Sequence, residues 1–115
     1  MTTVLIVDDE APIRELLAWI LKDLGFQVEE AINGREAIAL AAQHPPDLVI
    51  SDVMMPVMGG PELCHWVKTR LQPAPPVILI SSIERHVVRG TGADAFVRKP
   101  FDLDELEQAV KHYVT

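Results

Sequence analysis

Cysteine is almost missing from this 115-residue chain: Cys64 stands alone, so no disulfide can form within it. A lone thiol suits a reducing compartment. Set among Leu63, Trp66 and Val67, it reads as a buried structural group rather than a nucleophile. Positive charge is also scarce. Ten Lys and Arg against seventeen Asp and Glu leave a formal net charge of −7. That balance opposes direct grip on nucleic acid or on anionic lipid, since both are held mainly by Lys and Arg. No apolar run approaches the roughly 20 residues that cross a bilayer. The start of the chain lacks the basic stretch of a signal peptide. These absences lead us to expect a cytoplasmic domain with no membrane or nucleic-acid partner.

What is present suits a folded core. With 49% hydrophobic and 23% charged residues, the chain is neither disordered nor fibrous. Its length suits one domain, residues 1–115, with no linker or low-complexity segment. Four short apolar runs stand out: Val4–Val7, Leu48–Ile50, Val77–Ile80 and Ala95–Val97. Continuous apolarity is what a parallel strand covered on both faces requires. A fifth run, Gln27–Ala31, is more polar and reads as an edge strand.

Helical patterns fill the gaps. Ile13, Leu16, Leu17, Ile20, Leu21 and Leu24 share one helical face, with Pro12 in the first turn and Gly25 at the end. Asn33 and Glu36 form a capping pair before Ala37, Ile38 and Ala41. A helix after Gly60-Pro61 buries Leu63, Trp66 and Val67 and closes before Pro73-Ala74-Pro75-Pro76. Asp102 caps the last helix, which turns Leu106, Val110, Tyr113 and Val114 inward. Alternating strands and helices predict a doubly wound α/β fold, (βα)5 and flavodoxin-like, with a parallel five-stranded sheet in the order 2-1-3-4-5.

In such sheets ligands bind outside the carboxyl ends of the strands. Asp8 and Asp9 follow the first strand and Asp52 ends the third, its neighbour in that order. Two unit charges about 4 Å apart repel by roughly 4 kcal/mol at an effective dielectric near 20. Three converging carboxylates therefore call for a cation, and oxygen ligands suit Mg²⁺ or Mn²⁺ rather than zinc. Without metal, one carboxyl should be pushed up by its neighbours. The fourth strand delivers Ser81 and Ser82, and the fifth delivers Lys99. Acids, a hydroxyl and an ammonium group match phosphoryl transfer, in which an Asp attacks phosphorus. No histidine lies at a strand end to serve a serine hydrolase.

The stretches "LIVDDE", "DLVISDVMMPVMGGPEL", "VILISS" and "GADAFVRKPF" together resemble the receiver domains of two-component response regulators, over essentially the whole chain. The resemblance implies that Asp52 accepts a phosphoryl group from a phosphohistidine on a sensor histidine kinase or phosphotransfer protein. It implies Mg²⁺ at Asp8, Asp9, Asp52 and the backbone carbonyl of Met54, with Mn²⁺ as a substitute. Ser81 would donate its hydroxyl to a phosphoryl oxygen, and Lys99 would pair first with an acid and then with that group. The Lys99-Pro100 peptide is expected to be cis. As Ser81 moves, Phe96 would rotate inward, changing the face formed by the fourth helix, fifth strand and fifth helix. A target protein or an attached output domain would read that change. The domain would catalyse its own phosphorylation and dephosphorylation without being an enzyme on other substrates.

Departures from the family pattern are local. Residues 81–96 are about four residues shorter than usual, roughly one helical turn, and contain Gly90 and Gly92. The fourth helix is therefore expected to be short or irregular. Ser81 stands where Thr is commoner, and Ser81 and Ser82 exchange roles if the register is off by one. Met54 and Ile83 flank the site with apolar side chains that would restrict attacking water. Trp19 and Trp66 read as partly buried helix residues.

Three rivals compete. A degenerate receiver would act as a scaffold. A Mg-dependent phosphohydrolase of the haloacid dehalogenase type favours two aspartates separated by one residue and a cap domain, whereas Asp8 and Asp9 are adjacent. A flavin or nucleotide module needs Gly, Ser or Thr after the first strand, where "DDEAP" offers carboxylates instead.

Overall fold

The computed structural model describes residues 2–82 and 90–114. Strands β1 (Thr3–Val7), β2 (Gln27–Ala31), β3 (Leu48–Asp52), β4 (Val77–Ser81) and β5 (Ala95–Arg98) form one sheet in the order β2-β1-β3-β4-β5. Every pairing is parallel. Helices α1 (Ala11–Asp23), α2 (Gly34–Gln43) and α3 (Gly60–Arg70) join the first strands, and α4 (Leu103–Val114) follows β5. All five expected strands form, in the expected order. The short or irregular fourth helix is anticipated within residues 81–96, of which 83–89 lie outside the described residues, so α4 here denotes the helix after β5. No helix among the described residues is long and apolar enough to cross a membrane.

Continuous apolar runs are explained by helices on both faces. Within β1, Val4 and Ile6 pack with Leu17, Leu21, Leu106 and Val110 of α1 and α4, while Leu5 and Val7 face Ala37, Ala41, Leu63 and Val67 of α2 and α3. The same alternation sends Ile50, Ile78 and Ile80 one way and Val49, Val77 and Leu79 the other. Side chains two residues apart share a face, so each strand supplies both cores only if every position is apolar. Polar Glu29 and Glu30 sit in β2, which pairs only with β1 and forms one edge.

Local signals hold the helices in place. Asn33 Oδ1 accepts from the Glu36 amide at 2.9 Å, and Glu36 Oε1 accepts from the Ile32 amide at 3.2 Å, fixing the start of α2. Asp102 Oδ1 accepts from the Asp104 amide at 2.8 Å at the start of α4. The Lys99-Pro100 peptide is cis, as expected. Trp66 is partly buried as anticipated, but Trp19 is 66% exposed and Leu16 42%. Trp19 lies two residues from both Leu17 and Leu21, about 200° around the helix, which turns it away from the buried row.

The start of α3 lies directly on the end of β3. The Gly60 amide donates to the Val53 carbonyl at 3.0 Å. A β-carbon on Gly60 would overlap the carbonyl oxygen of Asp52 and lie 3.1 Å from Leu79 Cδ2. Gly60→Ala should therefore lower stability by about 1–3 kcal/mol, read as a lower urea midpoint with an unchanged slope. An unchanged midpoint would show that α3 and β3 do not approach this closely.

Candidate acidic site at the carboxyl ends of the strands

The ladder ends place the chemically interesting side chains side by side. Asp8 follows β1, and its amide donates to the Ala31 carbonyl of β2 at 3.1 Å. Asp52 closes β3 opposite Ile80 of β4. Lys99 follows β5, and its amide donates to the Ser81 carbonyl at 2.9 Å. Because β1 and β3 are neighbours, the first and third strands deliver their acids to one volume. The long stem of Lys99 carries its ammonium back past the end of β4.

Asp8, Asp9, Glu10 and Asp52 each offer a carboxylate oxygen, and these oxygens lie within 4.8 Å of one another. Lys99 Nζ is 3.0 Å from Asp8 Oδ2, 3.4 Å from Glu10 Oε1 and 3.5 Å from Asp52 Oδ2. The other oxygens of Asp8 and Asp52 are tied to the backbone. Asp8 Oδ1 accepts from the Glu10 amide at 2.9 Å, and Asp52 Oδ1 accepts from the Val53 amide at 2.9 Å. Asp8 and Asp52 are buried, whereas Asp9 and Glu10 are exposed. A hard divalent cation would fit this all-oxygen donor set, which is exposed on the side of Asp9 and Glu10.

Electrostatics follow from that geometry. Burial pushes the Asp52 carboxyl up from 3.8 to about 6, against the pull of Lys99, with Asp8 adding to the rise. Repulsion among acids was expected to cause such a rise, but loss of water is the larger cause. For Lys99, burial is the largest single influence and pulls its pKa down. The hydrogen bond to Asp8 and the charges of Asp52 and Asp8 outweigh burial together, so the net direction is upward.

Ser81 is buried at the last position of β4, while Ser82 is exposed and lines an open cleft with Glu10, Lys99 and Phe101. Met54 lies two residues beyond β3 and is 67% exposed. Ile83 lies outside the described residues. Phe96 stands opposite Leu79 in β5 and packs, partly buried, against the core beneath α2 and α3. Sequence reasoning missed two residues. Glu10, at the N-cap of α1, makes no cap bond through its carboxylate, which turns to Lys99 instead. Arg14, one turn into α1, donates from Nη1 to the Asp8 carbonyl at 2.9 Å and from Nε to Glu30 Oε1 at 3.2 Å.

With this geometry in view, similarity to known proteins is informative. Residues 4–111 match the family model described as the response regulator receiver domain. Response regulator MprA of Mycolicibacterium vanbaalenii is 41% identical over 106 residues, covering 90% of this chain and 46% of that protein. Histidine kinase P4 of Formosa agariphila is 37% identical over 116 residues, covering 96% of this chain and 8% of that protein. The chain thus spans less than half the length of either relative. Among solved structures, response regulator TrrA of Thermotoga maritima, in complex with Mg²⁺-BeF, superposes with a TM-score of 0.90. Its identity is 34%, over 98% of this chain and 99% of that one.

The raised Asp52 pKa carries a stability consequence. A carboxyl that holds its proton more tightly when folded costs stability once ionised; the cost is complete above about pH 6 and vanishes below about 3.8. In metal-free buffer, Asp52→Asn should therefore stabilise the fold at pH 8 by about 1–3 kcal/mol. The gain should shrink as the pH falls through 6, measured by urea midpoints with a chelator present. A gain independent of pH, or none, would contradict this.

Proposed function

The chain belongs to the response regulator receiver family of signalling domains, and we propose that Asp52 is its phosphoryl acceptor. The observation that carries this reading is the ammonium of Lys99 held 3.5 Å from Asp52 and 3.0 Å from Asp8 beside four gathered carboxylates. Asp52 Oδ1 is occupied by the Val53 amide, which leaves Oδ2 as the attacking atom. Its partner is a phosphohistidine on a sensor histidine kinase or a phosphotransfer protein. The O–P bond to Asp52 forms as the P–N bond breaks, and the departing imidazole keeps the electron pair and takes up a proton.

Each neighbour has a task in that reaction. Asp8, Asp9 and Asp52, with the backbone carbonyl of Met54, are the groups that would hold Mg²⁺ or Mn²⁺, and Glu10 is within reach of them. When bound, the cation supplies neutralisation of charge on the phosphoryl oxygens. Lys99 keeps Asp8 as one partner and exchanges Asp52 for a phosphoryl oxygen. The Ser81 hydroxyl donates to a second oxygen, and Phe96 moves towards the space this opens. Displacement near β5 then alters the face that a target protein or an attached output domain reads. Hydrolysis of the acyl phosphate restores the resting state, so the domain is its own catalyst. Residues 1–115 act in this scheme as a single receiver domain, and the reduced thiol Cys64 suits the cytoplasm.

Intact-protein mass spectrometry after incubation with acetyl phosphate tests the assignment. A phosphoryl adduct should form with Mg²⁺ present, diminish in chelator, weaken in Lys99→Ala and vanish in Asp52→Asn. No adduct on the unmodified sequence, or an equal adduct on Asp52→Asn, would refute it.

A further inference from the structure

Two of the acids that would hold the cation, Asp8 and Asp9, follow β1 on a turn contacted by a residue outside the cluster. Asp8 and Asp9 are joined by one peptide unit, and its carbonyl oxygen is the acceptor for Arg14 Nη1 at 2.9 Å. Rotation of that unit changes ψ of Asp8 and φ of Asp9 together, which swings the two carboxylates relative to each other. Backbone donors offer this carbonyl little help. Pro12, four residues on, has no N–H. On the other side, the Asp8 amide is fixed to Ala31 of β2 at 3.1 Å. The same guanidinium spans to β2, donating from Nε to Glu30 Oε1 at 3.2 Å. Arg14 is mostly buried, with its side chain 18% exposed.

Resting on the proposed cation site, we infer that Arg14 is a positioning residue that sets the spacing of the Asp8 and Asp9 carboxylates for a divalent ion. A bare surface ion pair with Glu30 would add little. The planar fork matters because one group reaches a carbonyl and a carboxylate in fixed directions, which a lysine ammonium cannot reproduce. Charge alone argues the opposite way. A cation at position 14 repels a second cation in the site, so removing it would tighten metal binding on Coulombic grounds. Positioning and charge therefore predict opposite signs for the same substitution. Groups that orient metal ligands without touching the metal typically change affinity by about 10–100-fold.

The test is Mn²⁺ affinity, read from loss of the free-ion electron paramagnetic resonance signal, on the unphosphorylated protein and on Arg14→Met and Arg14→Lys. Circular dichroism at the assay temperature establishes that each variant is folded. Arg14→Met should bind Mn²⁺ about 10-fold more weakly, and Arg14→Lys, which keeps the charge, should also bind more weakly. Should Arg14→Met fail to fold, Arg14→Lys decides alone. Affinity unchanged or tightened in the folded variants overturns the role of Arg14 while leaving the cation site intact. Absence of Mn²⁺ binding to the unmodified sequence overturns the site and Arg14 with it.

Discussion

Negative charge gathered at low solvent exposure must be balanced, and among the described residues the balance is struck by one ammonium group. Lys99 lies within 3.5 Å of three carboxylates drawn from the ends of two strands and the start of a helix. It does not fully offset them. Asp52 still sits at about 6, because burial strips away the water that would otherwise support its charge. A site in that condition is receptive to further positive charge, and Asp52 is poised between protonation states near neutral pH.

The fold creates this condition by topology. Parallel strands point all their carboxyl ends one way, and the order β2-β1-β3-β4-β5 makes β1 and β3 neighbours. The close seating of α3 on β3 at Gly60 then fixes the backbone around Asp52. Arg14 ties the Asp8 carbonyl to β2, and the Asp8 amide is held by the same strand. Stability and site geometry are thus secured by the same few contacts, as a site built on rigid elements requires. The sheet carries the acids, while the helices facing them are held mainly by apolar packing on two faces.

Much of this was legible in the sequence because strand ends are legible. Uninterrupted runs such as Val77–Ile80 announce strands covered on both sides, and the polar Gln27–Ala31 announces an edge. Once the order is known, Asp8, Asp52 and Lys99 must meet. Side-chain choices between two local partners are another matter. Glu10 could serve as a helix cap or as a partner for Lys99, and only the position of Lys99, 89 residues away, decides. Arg14 has the spacing of an ordinary exposed helix residue, yet it turns inward because an unmet carbonyl lies beneath it. Trp19 is the reverse case, an aromatic residue left outside because the buried row of α1 runs along the opposite face. The dominance of burial over acid–acid repulsion at Asp52 depends on depth, which no spacing pattern encodes.

The most direct measurement is the carboxyl carbon-13 shift of Asp52 followed across pH in metal-free buffer and again with excess Mg²⁺. A buried acid short of positive charge should titrate near pH 6 without metal and well below that once Mg²⁺ is added. An inflection at the ordinary value of 3.8 in both conditions would mean that the carboxylates neither share a dry cavity nor admit a cation.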